Sequence, residues 1–262
     1  MSLKRAVHVL LLSFVALFAS GAAAEARILR MPFYSSPGQI WRDANGELQG
    51  LRVKVLKELN RRLAKDGIEL KYVIAPEGQL SIKRAMQDVV DGKAEAYFGL
   101  IYSKAREDDG FVFGKEEIYS VPTVVWTTRD GRFTYRGLGS LKGKKIGIVA
   151  GYPFLEGVKT AEFEIDRTAQ DDETNVQKLL SGRVDAVVDN ITRTGTAVVR
   201  MKAGDRITYC RDPFEISRFV VAYNRNVPAD VVNKVDGALK AMRESGAIKA
   251  IFEEAVYGPL KK

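Results

Sequence analysis

The sequence of 262 residues contains one cysteine, Cys210, and one histidine, His8. A single cysteine cannot form a disulfide within the chain, and we expect Cys210 to be a buried small hydrophobic residue. His8 lies in a segment that we expect to be removed. The mature chain then has no histidine, which excludes Ser-His-Asp and Cys-His catalysis and His-ligated zinc. We accordingly expect no cofactor and no metal site.

The sequence also lacks a run of the ~20 apolar residues that a transmembrane helix requires. Residues 1–24 have the pattern of a secretory signal peptide, with two basic residues, a short apolar stretch and a small-residue end. We expect cleavage after Ala24 or after Ala26 and, since no cysteine lies nearby, no lipid anchor. The sequence therefore predicts a protein exported to the periplasm.

Lysine and arginine number 41 against 33 aspartate and glutamate residues, and the formal net charge is +8. Such a charge can indicate an acidic partner. The predicted export, the dispersed lysines and the lack of an aromatic-basic repeat argue against nucleic acid. We interpret the charge as a solvated basic surface.

Short β-rich runs alternate with segments of helical periodicity, which is typical of an α/β protein with mostly parallel strands. Residues 43–46 contain Asn-Gly, the strongest hairpin signal in the chain. Helices are predicted over residues 53–65 and 174–181, and Ser81 is a suitable N-cap for another. A long C-terminal helix is predicted to end before Gly246.

Two short segments of the chain can be aligned with each other. Residues 92–96 (GKAEA) match residues 182–186 (GRVDA), and each segment follows a predicted helix and opens a hydrophobic strand. The order of strands and helices around them is also shared. The sequence therefore predicts two similar α/β lobes that face each other.

Several motifs then follow one another at characteristic spacings. After the export signal and an aromatic-proline loop come Asp43, Gly46 and Gly50 in the pattern D-x-x-G-x-x-x-G, then SKAR at 103–106 and LKGKKIG at 141–147. In this order they resemble the family 3 extracellular solute-binding proteins over essentially the whole mature chain. The resemblance implies an α/β, two-lobed type II periplasmic binding-protein fold with two hinge crossings.

The resemblance also implies the division of the chain. Lobe 1 comprises residues 25–120 together with 217–262, and lobe 2 comprises residues 121–216. The crossings fall near residues 120–123 and 213–217, and a small-molecule ligand lies between the lobes. The implied partner is an inner-membrane ABC transporter permease, and the protein is expected to be a monomer.

In the amino-acid binders of this family an arginine pairs with the ligand carboxylate, and Arg106 occupies that position here. Without the family, Arg106 would be interpreted as a solvated surface charge. The other ligand-binding candidates are polar or aromatic residues of both lobes: Tyr34, Tyr102, Ser103, Tyr152, Asn190 and Thr192, with Arg193 as a further option.

Some positions depart from the amino-acid pattern. The acid that would bind an ammonium group aligns with Asn190, although a one-residue slip would bring in Asp189. The acid expected after Gly50 and Leu51 is replaced by Arg52. The site is thus predicted to be rich in aromatic and cationic groups, which suits an anionic or aromatic-carboxylate ligand.

Three functions compete at this point. The first is a receptor that delivers a solute to an ABC transporter. The second is an enzyme on the same fold, similar to the cyclohexadienyl dehydratases, with Glu77 or Glu156 as the carboxylate. The third is a solute sensor that acts on a membrane receptor. We favour a receptor without enzymatic activity, because no carboxylate has a local sequence that indicates an acid-base role.

Overall fold

The structure is a computed structural model that describes residues 26–36, 38–76, 78, 80–150 and 163–258. The strands described are β1 (Arg27–Pro32), β2 (Trp41–Arg42), β3 (Leu48–Gln49), β4 (Ile68–Val73), β5 (Ala96–Ile101), β6 (Phe111–Thr128), β7 (Lys145–Gly147), β8 (Glu164–Asp166), β9 (Ala186–Asn190), β10 (Ile207–Tyr209) and β11 (Glu215–Asn224). The helices described are α1 (Leu51–Leu63), α2 (Ile82–Val90), α3 (Lys104–Asp108), α4 (Asp172–Leu180), α5 (Ile191–Arg200), α6 (Ala229–Glu244) and α7 (Ala247–Phe252). Short 3₁₀ turns lie at Ala64–Asp66 and Leu138–Leu141, and a π turn lies at Glu253–Tyr257.

Seven of these strands form one sheet in the order β5-β11-β6-β9-β7-β8, with β10 beside β6. The strands β1 and β4 form a separate parallel pair, and β2 and β3 form a hairpin. The prediction of mostly parallel strands is wrong for the large sheet. Strand β6 pairs antiparallel with β9, β10 and β11, and β11 pairs antiparallel with β5. Chain segments that pass between two lobes in opposite directions pair in this way.

Strand β6 runs without interruption from the residues predicted to form lobe 1 into those predicted to form lobe 2, and these two names are used below for the predicted residue ranges. Its first part pairs with β11, and from Thr123 onward it pairs with β9 and then with β10. The exchange of partners at Thr123 falls within the predicted crossing at residues 120–123, and rotation of the lobes about this point stays a prediction.

The two aligned segments adopt the same local structure. The Glu95 carboxylate accepts a hydrogen bond from the Arg30 amide at 2.9 Å, and the Asp185 carboxylate accepts one from the Lys145 amide at 2.8 Å. Each acidic residue also donates its own amide to the carbonyl of the same strand residue. In both segments the preceding glycine has a left-handed φ. The match between the two sequences thus corresponds to a repeated helix-turn-strand unit.

The local predictions are mostly confirmed, with displaced boundaries. The hairpin forms over β2 and β3, and Gly46 there has a φ of 84°. Ser81 caps α2 by accepting the Arg84 amide at 3.2 Å. Helix α4 begins two residues earlier than predicted, because Asp171 accepts the Thr174 amide and caps it.

The largest of three buried apolar clusters among the described residues contains side chains from both lobes, and Trp126 and Tyr223 are its largest fully buried residues. Cys210 is only partly buried at the end of β10, so the expectation of a buried thiol is wrong. None of the helices in the described part of the chain combines the length and the apolar character needed to span a bilayer.

Candidate functional site

Three of the predicted site residues follow β5 directly. Ser103 caps the short helix α3, since its hydroxyl accepts the Arg106 amide at 3.3 Å. The cap turns the Arg106 guanidinium back toward the strand, where Nη1 donates to the Ile101 carbonyl at 2.5 Å. Tyr102 is exposed and donates to Glu107 at 3.2 Å. A partly exposed guanidinium and an exposed phenol therefore lie together at the carboxyl end of β5.

Tyr34 lies inside lobe 1 and is only 2% exposed. Its ring stacks on Tyr97 of β5 with a centroid separation of 4.9 Å. Its hydroxyl is buried and has no hydrogen-bond partner. The stacking gives Tyr34 a structural role, and its unpartnered hydroxyl is the feature that requires explanation.

Arg52 is buried at the start of α1 and makes three hydrogen bonds. Its Nε donates to the Tyr119 hydroxyl at 2.7 Å, and its Nη2 donates to Gln39 Oε1 at 2.7 Å and to the Gly99 carbonyl at 3.1 Å. The guanidinium also lies over the Tyr34 ring, 5.2 Å from its centroid. Its Nη1 has no partner. All of the partners of Arg52 are uncharged at neutral pH.

Burial disfavours the charged form of Arg52, but the surrounding Tyr119, Tyr72 and Tyr97 outweigh this effect and raise its pKa above the usual value. Arg52 therefore stays a cation over the physiological range of pH. In the described part of the chain no carboxylate forms an ion pair or a hydrogen bond with it. A fully buried cation without a counter-ion is unfavourable and unusual.

On the lobe 2 side, Asn190 and Thr192 lie where β9 passes into α5. The Asn190 carboxamide oxygen accepts the Thr192 amide at 2.9 Å and the Thr192 hydroxyl at 2.5 Å, and it thereby caps α5. Gln39 of lobe 1 donates to this same hydroxyl at 3.5 Å. Gln39, Asn190 and Thr192 are all nearly fully buried. They connect the lobes through a chain of polar groups that reaches Arg52.

The lobes also approach each other closely at Gly38, next to Gln39. A Cβ atom on Gly38 would lie 2.5 Å from the Thr192 carbonyl oxygen and 2.6 Å from the Thr196 hydroxyl. Gly38 has a φ of 70°, which other residues rarely adopt. Glycine is thus required here both by the backbone conformation and by the approach of α5.

Asp189 does not face this contact, so the one-residue slip considered for the ammonium-binding acid finds no support. Its carboxylate forms an ion pair with Arg193 and accepts the Thr194 hydroxyl at 3.0 Å, both within lobe 2. Burial raises the pKa of Asp172 to about 8, and the charge of Asp189 and a hydrogen bond with it act in the same direction. Arg193, also considered for the site, is engaged in the same cluster.

This pair of carboxyl groups should make stability depend on pH. The folded protein keeps the Asp172 proton up to about pH 8, whereas the unfolded chain loses it near pH 4, so the free energy of unfolding should fall as pH rises between these values. Asp172→Asn removes this slope and can still donate to Asp189. We expect the variant to be more stable than wild type at pH 9 by about 1 kcal/mol or more, measured by urea unfolding at pH 5, 7 and 9.

The exposed Asp205 provides the matched control for this measurement. Asp205→Asn should leave the pH profile of stability unchanged. If the free energy of unfolding of wild type and of Asp172→Asn changed equally between pH 5 and pH 9, the raised pKa of Asp172 would be contradicted.

The structure thus brings the predicted site residues together in two groups. Tyr102, Ser103 and Arg106 lie at one end of β5. Asn190 and Thr192 lie on the lobe 2 side of the boundary, where Thr192 meets Gln39. Tyr152 lies outside the described residues, as do Glu77 and Glu156. Sequence reasoning missed Gln39, which no motif marks, and noted Arg52 only as a departure. Arg52 falls in register with Leu56, Leu59 and Leu63 on the buried stripe of α1, and a charge on an apolar stripe was the available signal.

Two concave surfaces lie among the described residues. A groove of about 470 Å³ runs along β6 and the C-terminal helices, between Glu117, Pro122, Arg211 and Phe252. A smaller hollow of about 170 Å³ lies between the lobes and includes Gly38, Trp41 and Thr192. Only the smaller one contains a predicted site residue, so the lobe boundary remains the candidate site.

No protein-family model matches the chain. The L-cystine-binding protein TcyJ of Escherichia coli strain K12 is 28% identical over 122 residues, which are 46% of this chain and 45% of that protein. The chain thus aligns with less than half the length of the curated relatives it matches. Because that protein is a binding protein, the match agrees with the expectation that the chain is not an enzyme.

Solved structures resemble the chain over most of its length. The probable amino-acid ABC transporter extracellular-binding protein ytmK of Bacillus subtilis has a TM-score of 0.72 at 19% identity, covering 88% of this chain and 98% of its own. A putative L-cystine ABC transporter protein of Listeria monocytogenes has a TM-score of 0.60 at 19% identity, covering 88% and 96%. The chain therefore has the α/β fold of the type II periplasmic binding proteins, as the resemblance stated from the sequence implies.

Proposed function

We propose that the protein captures a small polar or anionic solute, of amino-acid or carboxylate type, between its lobes and delivers it to an ABC transporter. The observation that carries the proposal is the buried polar contact between the lobes, in which Gln39 donates to the Thr192 hydroxyl and this hydroxyl donates to Asn190. Buried polar groups from two lobes can enclose a solute and replace its water on both sides. Arg106 and Ser103, at the end of β5, are the proposed partners of a solute carboxylate.

The proposed setting follows from the same comparison. Relatives named as extracellular-binding proteins of ABC transporters support export, and we propose a periplasmic monomer that meets an inner-membrane permease. The name of the curated relative supports an amino-acid-like solute. The proposed boundaries of the lobes are those given by the sequence, with residues 25–120 and 217–262 in lobe 1 and residues 121–216 in lobe 2.

Mass spectrometry of the purified protein tests the proposal. The chain without residues 1–24 is purified, denatured, and its supernatant analysed for a released small molecule. The compound found, and L-cystine and other amino acids in parallel, are then titrated calorimetrically against the refolded protein. We expect one solute bound per chain and recovered unchanged.

Two outcomes would contradict the proposal. Failure to bind a solute of any charge would remove the capture function. Conversion of the bound compound into a new one during incubation would instead support an enzyme.

Thr192→Val serves as the matched variant, because it keeps the shape of the side chain and removes the hydroxyl that meets Gln39, and it should weaken binding.

A further inference from the structure

The two guanidinium groups described above converge on one strand end. Arg52 donates to the carbonyl of Gly99, and Arg106 donates to the carbonyl of Ile101, two residues further along β5. Burial raises the pKa of Tyr97, and the charges of Arg52 and Arg106 both lower it, so both groups lie near this ring. Lobe 1 therefore presents two cations, and not one, at the end of β5.

The Arg52 charge is held by neutral hydrogen-bond acceptors, and none of them is a counter-ion. The guanidinium is 3% exposed, lies between the rings of Tyr34 and Phe219, and finds no carboxylate in the described part of the chain. Its Nη1 and the neighbouring Tyr34 hydroxyl are both buried without a hydrogen-bond partner. A buried cation with an unpartnered donor can still be stabilised by negative charge nearby.

Arg52 does not have to touch a solute to affect its binding. The Arg52 guanidinium contacts Gln39, and Gln39 contacts Thr192 of the opposite lobe, so a single side chain separates the charge from the lobe boundary. In a dry wall of low dielectric, a full charge at this depth attracts anions and repels cations strongly. In the described part of the chain no carboxylate pairs with Arg52 to cancel this field.

We propose that Arg52 is a specificity-determining residue that, together with Arg106, makes the site select solutes with two acidic groups. The inference rests on the proposed function and specifies the class of solute. Arg106 would hold one carboxylate, and the charge of Arg52, which no carboxylate of the described residues neutralises, would favour a second negative group on the same solute. Neutral and basic amino acids would be discriminated against by the same charge.

Matched pairs of solutes that differ by one negative charge test the proposal. L-glutamate is compared with L-glutamine, and succinate with succinamate, by calorimetric titration of the chain without residues 1–24. We expect the acidic member to bind at least about tenfold more tightly. Arg52→Gln should reduce this ratio by about tenfold or more, whereas Arg52→Lys, which keeps the charge, should retain most of it.

A second variant leaves Arg52 in place. Gln39→Glu puts a carboxylate at the position of an oxygen that lies 2.7 Å from Arg52 Nη2. Gln39→Glu should neutralise the field of Arg52 and lower the ratio of affinities for the acidic and the neutral solute, as Arg52→Gln is expected to do. This test remains available if Arg52→Gln fails to fold. Arg84→Gln, at an exposed arginine paired with Asp88, should leave the ratio unchanged.

The outcomes separate this inference from the proposed function. Tight binding of neutral or basic solutes with no preference for acidic ones overturns the inference and leaves solute capture intact. An unchanged ratio in folded Gln39→Glu also overturns it. If no solute of any charge binds, the proposed function fails, and the inference fails with it.

Discussion

Arg106→Ala is expected to bind the captured solute roughly 30-fold more weakly than wild type, or worse. If Arg106 holds a solute carboxylate, its removal leaves a desolvated charge without its partner, which costs about 2 to 5 kcal/mol. The fold should be nearly unaffected, because Arg106 is partly exposed on a five-residue helix and its only side-chain hydrogen bond in the described structure is to the Ile101 carbonyl. Calorimetric titration gives the affinity, and urea unfolding gives the stability.

Arg84→Ala is the control for this experiment. Arg84 is an exposed arginine of lobe 1 on α2, paired with Asp88 in the same helix. Its loss should change neither affinity nor fold. Wild-type affinity in Arg106→Ala would return Arg106 to the interpretation as a surface charge, which the residue pattern alone favoured.

Gly38→Ala is expected to stop the lobes from reaching their observed contact. The new methyl group would lie 2.5 Å from the backbone oxygen of Thr192, and a backbone atom cannot move aside as a flexible side chain can. We expect affinity to fall by about tenfold or more, because one face of the solute then stays solvated. X-ray scattering should show a larger radius of gyration for the variant with solute than for wild type with solute.

The control separates steric exclusion from backbone strain. Gly67 has a φ of 63°, close to the 70° of Gly38, but a Cβ atom there would meet nothing within 4 Å. Gly67→Ala therefore carries a similar conformational cost, of about 1 kcal/mol, without the clash. It should lower stability and leave affinity unchanged. An equal loss of affinity in both variants would contradict a specific role for the approach of Gly38 to α5.

The local elements could be predicted where one residue determines them. Ser81 caps α2, Gly46 turns the hairpin, and Glu95 and Asp185 mark the repeated unit, because each acts on neighbours in the chain or on a single strand. The antiparallel pairing of the large sheet could not be predicted in this way. It depends on how β6 and β11 pass between distant parts of the chain, and periodicity carries no information on that path.

The site was predictable only in part, for a similar reason. Ser103 and Arg106 form a local cap and could be located by motif. Gln39 acquires its role from Thr192, which is remote in sequence, and no local pattern indicates this contact. Arg52 broke the apolar stripe of α1 and so could have been recognised as a buried charge. Its environment of rings and neutral acceptors required the structure.

The position of β11 has a consequence for the synthesis of the protein. In the sheet β11 lies between β5 and β6, although β5 ends at Ile101, β6 ends at Thr128 and β11 begins only at Glu215. While the ribosome is still making lobe 2, the facing edges of β5 and β6 have no partner, and unpaired edges readily join other strands. Pairings so remote in sequence also form slowly. Lobe 1 can therefore complete its sheet only after residue 224 has emerged, and the nascent chain needs protection until then.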